Sequence, residues 1–239
     1  MARTISRSTG SSATRSLGGC RPSSISLRPT ELPTPLRASP GRGRRLAADP
    51  RHRRRTATAS NTHQVAQAIA AQTRIAYVDN DPLVIQQGQK LITSTPEGAA
   101  EYIQADLAEP QEILRQAGRL LDLSRPVAIT LLGVVHFIRE TDRVQEIVQQ
   151  LMAAVPSGSC LVIAQGCYDI NQAQAEDIQS YWNERGTPKI YYRSAAEIES
   201  FFDGLDLLEP GVLSCSRWRP GSDDPDLEVN QFCGVARKP

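Results

Sequence analysis

The amino-acid sequence predicts an α/β fold in which helices cover both faces of a doubly wound, mostly parallel sheet with an antiparallel edge. From residue 61 onward, short runs of aliphatic and β-branched residues alternate with amphipathic segments about ten residues long, a pattern typical of β-α-β units. The chain has 239 residues. One domain of this class can bury a large core at that length.

The first half of this pattern contains three predicted helices and three predicted strands. Asn61 offers an N-cap to the first helix, and proline stands near the first turn of the other two. The predicted helices cover 61–71, 83–92 and 110–121, and the predicted strands cover 74–79, 101–105 and 126–135.

In the second half, apolar residues at helical spacing predict a helix over 143–155, which is followed by an apolar strand. Two more helices come next, the last of them beginning after Ser194. The final two strands would form the antiparallel edge. These later elements are a strand over 159–165, helices over 172–185 and 195–202, and strands over 205–212 and 231–236.

Residues 1–60 differ from the rest in composition. They are rich in Ser, Arg, Pro and Gly, and they contain 13 of the 27 basic residues with only two acids, Glu31 and Asp49. They show no apolar period, so we expect disorder there and a folded domain over 61–239. An Arg- and Ser-rich targeting peptide, a basic tail for an acidic partner, and a segment without biological meaning all fit this composition.

Residues 61–239 are acidic, with 14 basic against 24 acidic residues. Because phosphate backbones are gripped by clustered Lys and Arg, we expect no nucleic-acid partner. No apolar run reaches the length of a membrane span, so no membrane partner is expected. The five cysteines and three histidines show no zinc-site spacing, which favours reduced thiols, a cytoplasmic location and no metal. The oligomeric state is left open.

Acids follow two consecutive predicted strands, and a histidine follows the next strand. Asp79 ends the strand over 74–79, Asp106 follows the strand over 101–105, and His136 ends the strand over 126–135. Ligands of open parallel sheets bind outside the carboxyl ends of the strands. Capping of the following helices is the competing interpretation for both acids, and a hydrogen-bonded structural role competes for His136.

Several segments together resemble an actinobacterial-type family of S-adenosylmethionine methyltransferases. The resemblance covers about 61–239. Its segments are AYVDNDP over 76–82, QADL over 104–107, LLGVVHFI over 131–138, Arg193-Ser194, FFDGL over 201–205, EPGV over 209–212, RWRP over 217–220 and GVARKP over 234–239.

This resemblance implies a Rossmann-like class I methyltransferase fold, with S-adenosylmethionine as cofactor and a small molecule as methyl acceptor. In such a site Asp79, followed by Asn80, would bind the ribose hydroxyls. Asp106 would lie near the adenine amino group, with the Leu107 backbone amide against the ring. His136 would face the acceptor and could accept its proton as methyl transfer proceeds.

The glycine-rich loop that such a family places after its first strand is absent. The stretch over 49–60, which precedes the first predicted helix, reads DPRHRRRTATAS and contains no glycine. Only glycine lets a backbone approach a ligand closely at positive φ. We therefore expect the first strand to be missing or degraded, and the chain as written to be impaired or inactive.

Synonymous codons suggest a cause for this loss. Residues 51–57, Arg-His-Arg-Arg-Arg-Thr-Ala, can be written CGA CAT CGG CGC CGG ACT GCC. Read from its second base, that string encodes Asp-Ile-Gly-Ala-Gly-Leu. A frameshift over about residues 1–57, returning in frame near Thr58, would explain the missing loop.

The function predicted from the sequence is therefore methyl transfer from S-adenosylmethionine to a small molecule. A non-catalytic binding or regulatory protein on the same fold is the alternative, because a fold does not fix a function. A nicotinamide-dependent oxidoreductase is supported least.

Resequencing the gene tests the frameshift hypothesis. We expect the codons of residues 51–57 to contain the Asp-Ile-Gly-Ala-Gly-Leu reading in the neighbouring frame. Codons that encode no glycine-rich motif in either alternative frame would refute the hypothesis.

Overall fold

The computed structural model describes residues 61–220 and 227–239 in full, together with the backbone of one strand at 23–27. Eight strands form one sheet in the order β3-β2-β1-β4-β5-β8-β6, with β7 also paired to β8. The strands are β1 (Ser23–Leu27), β2 (Arg74–Asp79), β3 (Ala99–Gln104), β4 (Ala128–Leu132), β5 (Cys160–Gly166), β6 (Asp206–Leu207), β7 (Leu213–Ser214) and β8 (Gln231–Arg237).

Strands β1 to β5 run parallel, and β8 pairs antiparallel with β5, β6 and β7. The predicted α/β class, with its mostly parallel sheet and antiparallel edge, is confirmed. Six α-helices connect the described strands. They are α1 (Thr62–Ile69), α2 (Pro82–Leu91), α3 (Pro110–Ala117), α4 (Thr141–Ala153), α5 (Gln172–Arg185) and α6 (Ala195–Glu199).

The centre of the sheet differs from the prediction of a missing first strand. The position between β2 and β4 is filled by β1, with Ile25 in register with Ala76 on one side and Ile129 on the other. The inner edges of β2 and β4 carry backbone donors and acceptors that need partners, and Ser23–Leu27 supplies them. One strand from residues 1–60 therefore belongs to the sheet, and the predicted disorder of the other residues of that segment lies outside the described part.

The main core lies on one face of the sheet, under α3 and α4. Ile113 of α3, Ile147 of α4 and Ile129 of β4 belong to this cluster and are almost fully buried. On the opposite face, His63 of α1 is hydrogen-bonded to the Tyr77 hydroxyl. Because side chains alternate along a strand, the sheet buries apolar residues on both faces and is covered by helices on both.

Several element boundaries differ from the sequence prediction, and two of the differences lie at glycines. The fourth strand ends at Leu132, three residues earlier than expected, because Gly133 turns the chain with φ 70°. The single edge strand predicted over 205–212 is instead two short strands, β6 and β7, separated by a turn in which Gly211 has φ 89°. Both breaks use the positive φ that glycine tolerates.

The cysteines were expected to be reduced thiols, and one of them is not. Cys167, Cys215 and Cys233 are buried and free, whereas Cys160 is disulfide-bonded. No group of three or more His, Cys, Asp or Glu residues suited to a metal ion occurs within 61–220 and 227–239. None of the described helices is both long and apolar enough to cross a membrane.

Truncating Ile147 tests the core. Its side chain is 1% exposed, so Ile147→Ala should lower the free energy of unfolding by about 2–5 kcal/mol through lost burial and a residual cavity. Ile69→Ala is the matched control, because Ile69 also lies in a helix but is 70% exposed; its effect should stay within about 0.5 kcal/mol. Urea unfolding followed by circular dichroism measures both, and equal midpoints would contradict this packing.

Candidate functional site

The strand order places a topological switch point at the centre of the sheet. From β1 the chain passes to β2 and β3 on one side, and it then crosses to β4 and β5 on the other. Ligands of doubly wound sheets bind at the carboxyl edge of such a point. The segments after β2, β3, β4 and β5 all lie along this edge, and they contain all five residues singled out from the sequence.

Asp79 is the last residue of β2, and its side chain is only 7% exposed. Its Oδ1 accepts the Asp81 backbone N–H at 2.9 Å, and no side chain donates to it among the described residues. Burial raises the pKa of this carboxyl above its ordinary value, and the backbone N–H groups of Asp81 and Asn80 partly oppose that effect. Asp81, and not Asp79, caps α2 by accepting the Leu83 N–H at 2.8 Å.

Asp106 lies beside the end of β2, because β3 is its neighbour in the sheet. Its Oδ1 accepts the Ala108 backbone N–H at 2.8 Å, and its Oδ2 accepts from Asn80 Nδ2 at 3.4 Å. The first bond is local to the turn that precedes α3, whose N-cap is Glu109, so Asp106 does not cap that helix. The second joins two of the predicted cofactor residues across the strand ends.

Leu107 packs part of its side chain against the main core. Its backbone N–H has no hydrogen-bond partner within the described part of the chain, whereas the neighbouring N–H of Ala108 is occupied by Asp106. A free amide beside the carboxylate of Asp106 is therefore available to a ligand. The structure thus brings Asp79, Asn80, Asp106 and Leu107 together on one side of β1.

His136 lies on the other side of β1, beyond β4. The sequence predicted that His136 ends that strand, but the strand ends at Leu132. His136 occupies a 3-10 turn over Val135–Phe137, which follows the break at Gly133. Its backbone oxygen accepts the Tyr191 N–H at 2.8 Å, and its ring packs edge-on against Phe137 with centroids 4.5 Å apart.

The imidazole of His136 is buried at its polar atoms. Both ring nitrogens are inaccessible to solvent and have no hydrogen-bond partner among the described residues. Burial, and then the nearby positive charge of Arg193, lower the pKa of His136 to about 4. The ring is therefore neutral at pH 7, and its unprotonated nitrogen is an unused acceptor.

The end of β5 adds three residues that the sequence did not single out as site residues. Gln165 is fully buried, and Gly166 lets the Tyr192 ring approach so closely that a Cβ at position 166 would lie 2.2 Å from it. Arg193 follows Tyr192, is 2% exposed and is bonded to Gln165. The one sequence signal for Arg193 is its place in the Arg193-Ser194 motif.

The acidic side of this edge fits an adenosyl group. Asp79 is a buried carboxylate that can accept from hydroxyl donors, and Leu107 has a free amide that can donate to a ring nitrogen. The residues that would surround the remainder of such a ligand follow β1, and they lie outside the described part of the structure. The sequence after Leu27 begins Arg-Pro-Thr-Glu and has its first glycine at Gly41.

Comparison with known proteins identifies the class. Residues 56–239 match the S-adenosyl methyltransferase family, so the chain belongs to that family. A search of curated proteins finds no match.

Solved structures agree with the family assignment. A DUF574 family protein from Streptomyces avermitilis is 31% identical with a TM-score of 0.77, over 98% of this chain and 81% of that one. A candidate methyltransferase from Thermobifida fusca is 27% identical with a TM-score of 0.70, over 99% and 77%. The N-methyltransferase NodS from Bradyrhizobium japonicum, in complex with S-adenosyl-L-homocysteine, shares the fold at 9% identity, with a TM-score of 0.54 over 100% and 90%.

The protein is thus an S-adenosylmethionine-dependent methyltransferase by family, with the Rossmann-like class I fold that the sequence predicted. S-adenosylmethionine is the cofactor of the family, which confirms the cofactor prediction.

The low pKa of His136 predicts how stability depends on pH. The unfolded chain takes up a proton at this residue near pH 6.5, whereas the folded chain does so only near pH 4. The contribution of His136 to the free energy of unfolding is therefore fully present above pH 6.5. It is lost as the pH falls from 6.5 to about 4, by up to about 1.4 kcal/mol per pH unit. His136→Gln removes this titration. Urea unfolding of both proteins should show the wild type losing more stability than the variant from pH 6.5 to 4, and parallel curves would contradict the burial of this ring.

Proposed function

We propose that this protein transfers the methyl group of S-adenosylmethionine to a small-molecule acceptor, with the cofactor held across the switch point. One observation carries this proposal: Asp79, a buried carboxylate that accepts from no side chain among the described residues, ends β2 at the strand edge where this fold binds ligands. Such a carboxylate can accept hydrogen bonds from the two ribose hydroxyls, and charge-assisted hydrogen bonds of this kind are short and strong.

Asp106, Asn80 and Leu107 form the adenine side of the proposed site. The 3.4 Å contact from Asn80 Nδ2 to Asp106 Oδ2 orients the carboxylate, which accepts from the adenine amino group. The free Leu107 amide donates to a ring nitrogen.

His136 forms the acceptor side. When bound, S-adenosylmethionine supplies a methyl group on a sulfonium, so the protein's main task is to align the acceptor with it. The neutral ring of His136 accepts a hydrogen bond from the acceptor at its unprotonated nitrogen, and it can take the acceptor's proton there. Both ring nitrogens are closed to solvent in this structure, so the acceptor reaches this nitrogen only when a movement of the surrounding residues exposes it.

The glycine-poor segment before Asn61 belongs to the same proposal. The family match begins at residue 56. This is close to Thr58, where the proposed frameshift would return to the reading frame of the family. This agreement supports a frameshift that removed the loop for the methionine part of the cofactor. The chain as written then binds the adenosyl part alone and is weak or inactive.

The three buried free thiols support a cytoplasmic location, and the disulfide of Cys160 is the described feature that opposes it.

Binding of S-adenosyl-L-homocysteine tests the site by calorimetry. The protein as written is compared with one in which Asp-Ile-Gly-Ala-Gly-Leu replaces residues 51–56, and we expect tighter binding by the second. In either protein Asp79→Asn should weaken binding roughly 10- to 100-fold, because a hydrogen bond to a charged group contributes about 1.5–3 kcal/mol. Asp203→Asn, at an exposed turn, is the matched control and should change nothing.

The same titrations separate the catalytic function from the alternative. His136→Ala should leave S-adenosyl-L-homocysteine binding unchanged, since it lies on the acceptor side. No binding by either protein would favour a non-catalytic regulatory role on this fold. Equal losses from Asp79→Asn and Asp203→Asn would mean that the cofactor lies elsewhere.

A further inference from the structure

Arg193 is a buried cation whose role the proposed function does not explain. Arg193 lies at the end of the segment that leads from α5 back to the sheet. It forms an isolated parallel bridge with Cys167, just beyond β5. Its side chain is among the largest that are almost fully buried, at 2% exposure. Burying a guanidinium is costly unless its donors are satisfied and its charge is offset.

All three nitrogens of the guanidinium donate hydrogen bonds, and three of the five bonds go to backbone oxygens within 135–139, the turn of His136 and the two residues after it. The acceptors are the backbone oxygens of the segment that carries His136, together with two side chains. The contacts are Nη1 to Val135 O at 3.4 Å and to Gln165 Oε1 at 3.2 Å, Nη2 to Ile138 O at 2.6 Å and to Arg139 O at 3.2 Å, and Nε to Thr141 Oγ1 at 3.2 Å.

The charge of Arg193 is offset through one hydroxyl. Thr141 accepts from Arg193 Nε and donates to Glu197 Oε1 at 3.2 Å. The other oxygen of Glu197 accepts from the Ser194 N–H at 2.9 Å and from the Tyr168 hydroxyl at 3.1 Å. Among the described residues no carboxylate contacts the cation directly, and its field extends to His136.

Backbone contacts hold the same turn from a second direction. Tyr191, two residues before Arg193, donates its N–H to His136 O at 2.8 Å, and Arg193 donates its own N–H to Gly166 O at 3.3 Å. The segment 191–193 thus connects the end of β5 to the turn that carries His136. A 3-10 turn of three residues makes few hydrogen bonds of its own, so these outside contacts fix its conformation.

We propose that Arg193 is the positioning residue of the acceptor side, and that its guanidinium fixes the turn that presents His136. This inference rests on the proposed function insofar as His136 faces the acceptor. With five N–H groups and five acceptors around it, Arg193 has no donor left for the acceptor itself. It acts through His136 and is not a catalytic residue.

A purely structural role would predict only a loss of stability when Arg193 is changed. A positioning role predicts in addition a change at the imidazole, because the Arg193 cation lowers the pKa of His136. Burial lowers the pKa of Arg193 itself, and the nearby carboxylates of Glu197 and Glu140 oppose that effect. Titration of the His136 ring therefore shows whether the charge of Arg193 reaches the imidazole, and amide exchange at the turn shows whether the hydrogen bonds of Arg193 hold it; neither measurement requires cofactor or acceptor.

The experiment follows the ring signals of His136 by NMR over pH in the full chain, with Arg193→Met and Arg193→Lys as variants. In Arg193→Met the titration midpoint should rise from about 4 by roughly one unit, and it should remain below 6.5 because burial persists. Arg185→Met is the control; Arg185 is exposed on α5, and the midpoint should not move.

Arg193→Lys separates charge from geometry and covers the case in which Arg193→Met does not fold. Lysine keeps the charge but offers three donors instead of five, so the midpoint should stay near 4. Amide exchange at Ile138, whose N–H is bonded to Val135 O, should become at least about tenfold faster, since a loss of about 1.4 kcal/mol is tenfold in an opening equilibrium. Exchange at Leu161, in the centre of β5, should be unchanged.

Two results would overturn the proposal. One is a His136 midpoint in Arg193→Met equal to that of the wild type. The other is Ile138 and Leu161 exchange accelerated equally in Arg193→Lys, which indicates a general loss of stability. Neither depends on S-adenosyl-L-homocysteine, so a failure of cofactor binding would contradict the proposed function and leave the role of Arg193 standing.

Discussion

Backbone pairing at the centre of the sheet is the interaction on which the rest of this structure depends. Strands β2 and β4 each present an inner edge, and β1 pairs in parallel with both, over five residues with β2 and over four with β4. Neighbouring strands lie roughly 4.8 Å apart, so β1 sets the ends of β2 and β4 about 10 Å from each other. That separation places Asp79 on one side of the switch point and the turn of His136 on the other.

The two sides of the site are therefore held in place by different kinds of contact. The adenosyl side depends on strand ends, with Asp79 and Asp106 fixed by backbone amides one or two residues away. The acceptor side depends on a turn held by distant groups, above all the guanidinium of Arg193. None of the side chains named on either side of the site belongs to residues 1–60. Both can therefore be present in a chain whose cofactor loop was lost from that segment.

Most of the fold could be predicted from the sequence because its strands are continuous apolar runs and its helices carry cap signals. Strand β2 has its predicted limits, and Ser194 begins α6 with a capping box. The two acids could be placed because a residue that ends a parallel strand must lie at the carboxyl edge. Geometry of this kind follows from connectivity alone.

The remaining features depend on tertiary contacts that no local pattern reveals. The apolar run over 126–135 suggests one long strand, whereas the positive φ of Gly133 ends it at Leu132 and moves His136 into a turn. Arg193 is one arginine of many until the fold surrounds it with carbonyl groups. Strand β1 reads Ser-Ser-Ile-Ser-Leu, and a segment so short and polar is recruited by the unpaired edges beside it.

The crystal structure of the protein with S-adenosyl-L-homocysteine tests the central claim most directly. We expect ligand density at the carboxyl edge, with both ribose hydroxyls within hydrogen-bonding distance of Asp79, the adenine ring beside Asp106 and Leu107, and the sulfur directed toward His136. Density with the ribose away from Asp79, or a ligand bound outside this edge, would contradict it.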